Sequence, residues 1–112
     1  MNTQHHALAQ GGWSELTLME QLGNIGSEVA RTARWRGKDE QLAKGAVVRA
    51  LELFDLTIQD QRWKQRLKEI TRAREVFCDT VEGGMMYHTS LDDLDRYFFV
   101  FALAAWKQHL GA

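Results

Sequence analysis

The apolar residues of this chain recur at helical spacing over most of its length. Leu18, Leu22, Ile25 and Val29, for example, are three or four positions apart, so they fall on one face of a helix. The alternation of apolar and polar residues that is typical of a half-buried strand is hard to find, and proline is absent. The pattern therefore predicts an all-α protein.

Breaks in the pattern divide the chain into four predicted helices, near residues 15–36, 39–59, 62–82 and 91–109. Gly37 and the Gly83–Gly84 pair are typical helix ends, and Thr17 followed by Glu20 has the form of a capping box. The predicted links are short and the helices are similar in length, which favours antiparallel neighbours. We therefore predict an antiparallel up-and-down four-helix bundle.

The length of 112 residues leaves room for a single domain. The polar start of the chain, which ends in two glycines, predicts a flexible tail over residues 1–12 and one helical domain over residues 13–112. The tail lacks the features of a secretory signal, and the apolar run 97–106 is far shorter than the roughly 20 residues of a membrane-spanning helix. With Cys78 as the only cysteine, no internal disulfide can form. These observations predict a soluble cytoplasmic protein that does not associate with a membrane.

The fourth predicted helix is apolar on every face between residues 97 and 106. A surface helix of a small monomer is normally apolar along one stripe only, and soluble monomers seldom expose a large apolar patch. We therefore predict a homo-oligomer, a dimer in the first place, with a different protein partner as the alternative. The predicted interface consists of large apolar residues on the outward face of this helix and in the connection before it: Phe99, Leu103, Trp106, Met85 and Met86.

One arginine interrupts the apolar track of the third predicted helix. Arg74 lies between Ile70 and Phe77 in that track, so its side chain should be at least partly buried. A buried charge needs a partner, because an isolated one is very costly. The sequence therefore predicts a buried ion pair between Arg74 and Glu28, with Asp95 as the second choice of partner.

Basic residues cluster at two places, each beside a tryptophan. The candidate RNA contacts are Arg31, Arg34 and Arg36 around Trp35, and Arg62, Lys64 and Arg66 around Trp63. Basic patches with aromatic residues are typical of nucleic-acid surfaces. However, the formal net charge of the chain is −1, and in an up-and-down bundle each cluster would lie among acidic residues. This favours a solvated, salt-bridged surface and leaves nucleic-acid binding as an alternative.

We identify no catalytic, cofactor-binding or metal-binding residues in the sequence. Helical ribonucleases need an arginine a short distance before a histidine, and none of the four histidines has one. His88 and Asp92 could share a cation, but acidic residues at a helix start are explained by the helix dipole. On the first helix, Gly26 with Ala30 and Ala33 forms a strip of small residues, which predicts a close crossing with another helix and leaves a groove for a ligand or a partner segment as the alternative. The chain is therefore predicted not to be an enzyme and to need no cofactor.

Two short segments resemble a known family. Residues 23–30 read Gly-Asn-Ile-Gly-Ser-Glu-Val-Ala, and residues 50–53 read Ala-Leu-Glu-Leu. They resemble segments of the small four-helix proteins encoded in ribosomal-RNA intervening sequences and their relatives, although Ser27 and Glu28 depart from the family pattern. The resemblance implies a four-helix bundle, self-association and an RNA-associated role, and it implies no catalytic residue.

Together these features predict a non-enzymatic helical interaction protein that associates with itself. The first alternative is an RNA- or ribosome-associated accessory bundle, and the second is a small metal- or cofactor-dependent bundle that uses the polar connection before the fourth helix.

Overall fold

The computed structural model describes residues 12–111, of which 83% are helical and none lies in a strand. It contains four α-helices: α1 (Leu18–Trp35), α2 (Glu40–Ile58), α3 (Leu67–Val81) and α4 (Leu91–Gly111). Two short 3-10 helices, Trp13–Glu15 and Gln61–Arg66, precede α1 and α3. The all-α, four-helix prediction is confirmed. The predicted tail over residues 1–12 lies, except for Gly12, outside the described residues.

Local chemistry accounts for several helix boundaries. Thr17 and Glu20 form the predicted capping box: the Glu20 amide donates to the Thr17 hydroxyl at 3.1 Å, and the Thr17 amide donates to the Glu20 carboxylate at 2.9 Å. Asp39 caps α2 by accepting from the Leu42 amide at 3.1 Å. Gly37 ends α1 with a φ of +82°, a backbone conformation that favours glycine.

The third predicted helix, 62–82, starts later than expected. Its first residues form a 3-10 helix in which Trp63 has non-helical angles (φ −102°, ψ 21°), and the α-helix begins at Leu67. Asp60 caps this segment by accepting from the Arg62 amide at 3.1 Å. The indole of Trp63 donates to the side chain of Gln21 on α1 at 2.9 Å, so a long-range contact holds the turn in this conformation.

α1 is the central element of the bundle. It packs most extensively against α4 and next against α2, whereas α3 makes fewer contacts with α2 and α4. Its buried face, which includes Ile25 and Val29, lies against an aromatic cluster from the other three helices. In that cluster the Phe54 ring of α2 lies 6.0 Å from Phe77 of α3 and 5.9 Å, edge-on, from Phe98 of α4.

The predicted close helix crossing is present between α1 and α4. A Cβ added to Gly26 would lie 2.6 Å from the Phe98 Cβ, and one added to Gly23 would lie 3.1 Å from the Ala102 Cα. The two backbones can approach this closely because both positions lack a side chain. The contacts run from Gly23 to Gly26 on α1 and from Ala102 back to Phe98 on α4, so the two helices are antiparallel.

Candidate interaction surface on α4

α4 presents apolar side chains to the core and also to the outside. Leu94 and Phe98 are buried against α1 and its neighbours. The outward side carries a row of four large apolar residues with steps of four, three and four. These residues, here called the α4 stripe, are Phe99 (62% exposed), Leu103 (38%), Trp106 (60%) and Leu110 (63%). The spacing is that of a coiled-coil seam, so the stripe runs along one side of the helix for about 17 Å.

The α4 stripe contains three of the five interface residues predicted from the sequence. Phe99, Leu103 and Trp106 lie together on it, and the sequence analysis missed Leu110. The missed residue lies just beyond the predicted helix end at 109, whereas the helix continues to Gly111. Extending the four-three spacing by one step from Trp106 would have found it.

Met85 and Met86 lie apart from the α4 stripe. They are 80% and 76% exposed in the connection before α4, where the Asp79 carboxylate accepts the amide protons of Met86 (3.1 Å) and Tyr87 (3.0 Å). The stripe begins at Phe99, eight residues after the start of α4 and therefore about 12 Å along its axis. Met85 and Met86 therefore do not belong to the α4 stripe within one chain, and their place in an interface stays a prediction.

A shallow groove runs beside the α4 stripe, between α4 and α1. Trp106 and Phe99 border it on α4, and Asn24 and Ser27 border it on α1. The Asn24 amide donates to the Glu20 carbonyl at 2.9 Å, and the Ser27 hydroxyl donates to the Gly23 carbonyl at 3.3 Å. One side-chain donor of each of these two residues therefore already bonds the α1 backbone.

The predicted ion pair between Arg74 and Glu28 is wrong. Glu28 is buried (4% exposed), and its carboxylate binds Arg49 of α2 and Arg31 of α1, each at 3.1 Å. Arg74 is partly buried, as expected, but it binds Asp55 of α2 at 3.0 Å. α2 lies beside both α1 and α3, so it supplies a partner to each of these residues: Arg49 to Glu28 and Asp55 to Arg74. Asp95, the second choice, is not the partner of Arg74 either.

The first basic cluster lies at the end of α1 and is engaged within the fold. Arg31 binds Glu28, Arg34 lies 5.3 Å from the centre of the Trp35 ring, and Arg36 donates to the Val81 carbonyl.

The second basic cluster lies at the opposite end of α1. Arg62, Lys64 and Arg66 line an open pocket of about 660 Å³ beside Thr17. Arg62 binds the Asp60 carboxylate at 2.7 Å, and Arg66 binds Glu69 at 3.2 Å. The length of α1, about 27 Å, separates the two clusters, so they do not form one continuous surface.

Several other groups bear on alternative functions. Within residues 12–111, no group of three histidine, cysteine or acidic side chains is arranged to hold a metal ion. His5, His6 and the side chain of His109 lie outside the part of the chain that the structure describes. No helix in that part is both long enough and apolar enough to cross a bilayer.

Comparisons with protein-family models, with curated proteins and with solved structures found no match for this chain.

Proposed function

We propose that this chain is a non-enzymatic cytoplasmic interaction protein that forms a homodimer through the α4 stripe. The observation that supports this most directly is the exposure of Phe99, Trp106 and Leu110, each more than half accessible on one side of one helix. Aromatic residues of this kind usually carry the binding energy of protein interfaces. Soluble monomers seldom leave such a continuous apolar row in contact with water.

The size of the stripe is suited to a reversible dimer. A fully buried large apolar side chain contributes roughly 1.5–3 kcal/mol. The dimer would bring together eight such side chains, four from each copy. If each one buries about half of its surface, together they would contribute roughly 6–12 kcal/mol by the same measure. Association opposes this with an entropic cost of roughly 4–15 kcal/mol. Only the favourable ends of the two ranges, about 12 against about 4 kcal/mol, leave the roughly 8 kcal/mol of a micromolar complex, so we expect dissociation in the micromolar range or above it.

Charges on α4 favour an antiparallel pairing of the two copies. The first two turns carry Asp92, Asp93 and Asp95, whereas the stripe occupies the second half of the helix. A parallel pairing would bring the acidic turns of both copies side by side. An antiparallel pairing keeps them apart and also opposes the two helix dipoles. A two-fold axis near Leu103 satisfies this arrangement with the simplest symmetry.

Light scattering across the micromolar range tests the proposal. The wild-type chain should approach twice its monomer mass of 12.9 kDa as concentration rises. Phe99→Asp and Leu103→Asp should return it to a monomer with little change in helix content by circular dichroism. Val100→Asp is the matched control, because Val100 is 56% exposed on the same helix but lies outside the stripe. A wild-type chain that stays monomeric and soluble, or a control that dissociates the dimer equally well, contradicts the proposal.

RNA association is a second candidate, supported by the pocket that Arg62, Lys64 and Arg66 line together. The Lys64 side chain has no hydrogen bond or ion pair with any other residue from 12 to 111, so its charge is available to a phosphate. A salt-dependent gel shift with structured RNA, lost in Lys64→Glu, would favour this function. The absence of any shift at low salt would exclude it.

A further inference from the structure

A second apolar site lies between α3 and α4, away from the α4 stripe. It is a pocket of about 310 Å³ whose apolar lining comes from Ala73 and Val76 on α3 and from Leu94 and Tyr97 on α4. The pocket forms where α3 packs only sparingly against α4, and the small side chain of Ala73 leaves space opposite Leu94. Its volume is at the lower end of the range for small-molecule sites.

The carboxylates at the rim of this pocket already have partners. Glu69 accepts from Arg66 at 3.2 Å. Asp93 caps α4 by accepting from the Ser90 amide at 3.2 Å, and it also binds Arg96. The hydrogen bond from the Ser90 amide holds the pKa of Asp93 below its usual value, so this group stays negatively charged and engaged. Neither carboxylate therefore calls for a cationic ligand.

Arg72 is the one cation among the residues that line the pocket, and its guanidinium has no close carboxylate partner. Its nearest carboxylate oxygen, Glu75 Oε2, lies 3.8 Å away and also accepts from the Tyr87 hydroxyl at 3.2 Å. The Arg72 guanidinium lies 5.6 Å from the centre of the Tyr87 ring. The Arg72 side chain makes no hydrogen bond to another residue in 12–111, and it is 65% exposed. A guanidinium with free donors in a planar fork suits an acid group that has two oxygens.

We propose that this pocket binds a small amphipathic anion. The apolar body of the ligand, an alkyl chain or a single aromatic ring, lies against Val76, Leu94 and Tyr97. Its carboxylate or other oxyanion lies on the guanidinium of Arg72 at the rim. The site goes beyond the proposed dimer, because the residues that carry it are not those of the α4 stripe.

Calorimetry on the full chain with octanoate and octylammonium tests the site, because the two probes share an apolar body and differ in charge. Octanoate should bind saturably and octylammonium about tenfold more weakly or not at all. Amide chemical shifts in the octanoate titration should change most at Ala73, Val76 and Tyr97. Equal binding of the two probes, or no saturable binding of octanoate, would overturn the proposal.

Four variants locate the binding. Arg72→Gln should weaken octanoate about tenfold, whereas Arg34→Gln, which removes an equivalent charge from a residue that does not line the pocket, should not. Val76→Phe should occlude the pocket and abolish binding, with circular dichroism checking that the helices remain. Phe99→Asp should leave octanoate binding intact even if it dissociates a dimer. If Phe99→Asp abolishes binding and Arg72→Gln does not, octanoate binds the α4 stripe and the inference is wrong.

Discussion

The side chain of Gln21, fully buried in α1, accepts a hydrogen bond from the indole N–H of Trp63 at 2.9 Å. The same amide donates to the Trp13 carbonyl at 2.9 Å and to the Asp60 carboxylate at 3.0 Å. The Trp13 indole in turn donates to the Thr57 hydroxyl of α2 at 3.1 Å. One side chain therefore ties the 3-10 helix before α1 to the link between α2 and α3.

Replacing Gln21 tests the importance of this network. We expect Gln21→Leu to lower the free energy of unfolding by about 1–3 kcal/mol, because buried polar groups of its neighbours lose their partner. Urea denaturation measures the loss. Gln41→Leu is the control, since Gln41 is exposed on α2 and should change stability by less than about 0.5 kcal/mol. Equal losses in the two variants would show that the network contributes nothing specific.

Asp60 should make the stability of the protein depend on pH in acid. Hydrogen bonds from the Arg62 side chain lower the pKa of Asp60 from 3.8 to about 2, and its side chain is only 7% exposed. The folded state therefore favours the ionised carboxylate. This stabilisation is fully present above about pH 4 and is lost as the pH falls through about 2. It amounts to at most about 2 kcal/mol, because the Arg62 side chain is 41% exposed and water screens its charge.

The measurement is the free energy of unfolding from pH 2 to pH 6 in wild type and Asp60→Asn. The difference between the two proteins should shrink as the pH falls, because wild type loses the charged interaction that the variant never has. Glu82→Gln, at an exposed residue near the end of α3, is the control and should follow wild type. A constant difference across the range would contradict the assignment.

The extent to which the sequence anticipates this structure depends on the range of the interactions. The four helices follow from apolar spacing and from caps such as Thr17 and Asp39, which act within a few residues. The 3-10 turn at Trp63 depends on Gln21, 42 residues earlier, and no local pattern marks that contact. The outward row on α4 was visible in the sequence because a helix that is apolar all round must expose part of its surface.

Gly26 and Gly45 lie in different surroundings, so replacing each with alanine should change the stability of the protein in opposite directions. Gly26→Ala should destabilise the protein, since the new Cβ would lie 2.6 Å from the Phe98 Cβ and force α1 and α4 apart. We expect the free energy of unfolding to fall by about 1–3 kcal/mol. Gly45→Ala should stabilise it by up to about 1 kcal/mol, since alanine favours the helix and the nearest atom is the mobile end of Arg49 at 3.4 Å. Thermal unfolding should show shifts of opposite sign, and a stabilising Gly26→Ala would argue against the close crossing.

Arg49 should contribute more to stability than Arg74, which reverses the ranking that the sequence suggests. The pattern of the third helix pointed to Arg74 as the arginine of the buried pair, but its partner Asp55 is 50% exposed. Water can replace a partner at such a site, so Arg74→Ala should cost at most about 1 kcal/mol. Among residues 12–111, Arg49→Ala leaves the buried carboxylate of Glu28 with Arg31 as its remaining cationic partner, and the Arg31 side chain is 54% exposed. We expect this loss to reach about 2 kcal/mol or more.

A double variant separates the loss of the ion pair from the loss of packing by the arginine stem. If the cost of Arg49→Ala comes from the stranded carboxylate, adding Glu28→Gln should recover part of the stability, because a neutral amide is much less costly to bury. The two substitutions would then be non-additive in a double-mutant cycle measured by urea denaturation. Strictly additive losses would mean that Arg49 stabilises α2 through its aliphatic stem. A larger loss for Arg74→Ala than for Arg49→Ala would show that the α2–α3 contact, and not the α1–α2 contact, holds the more important charge.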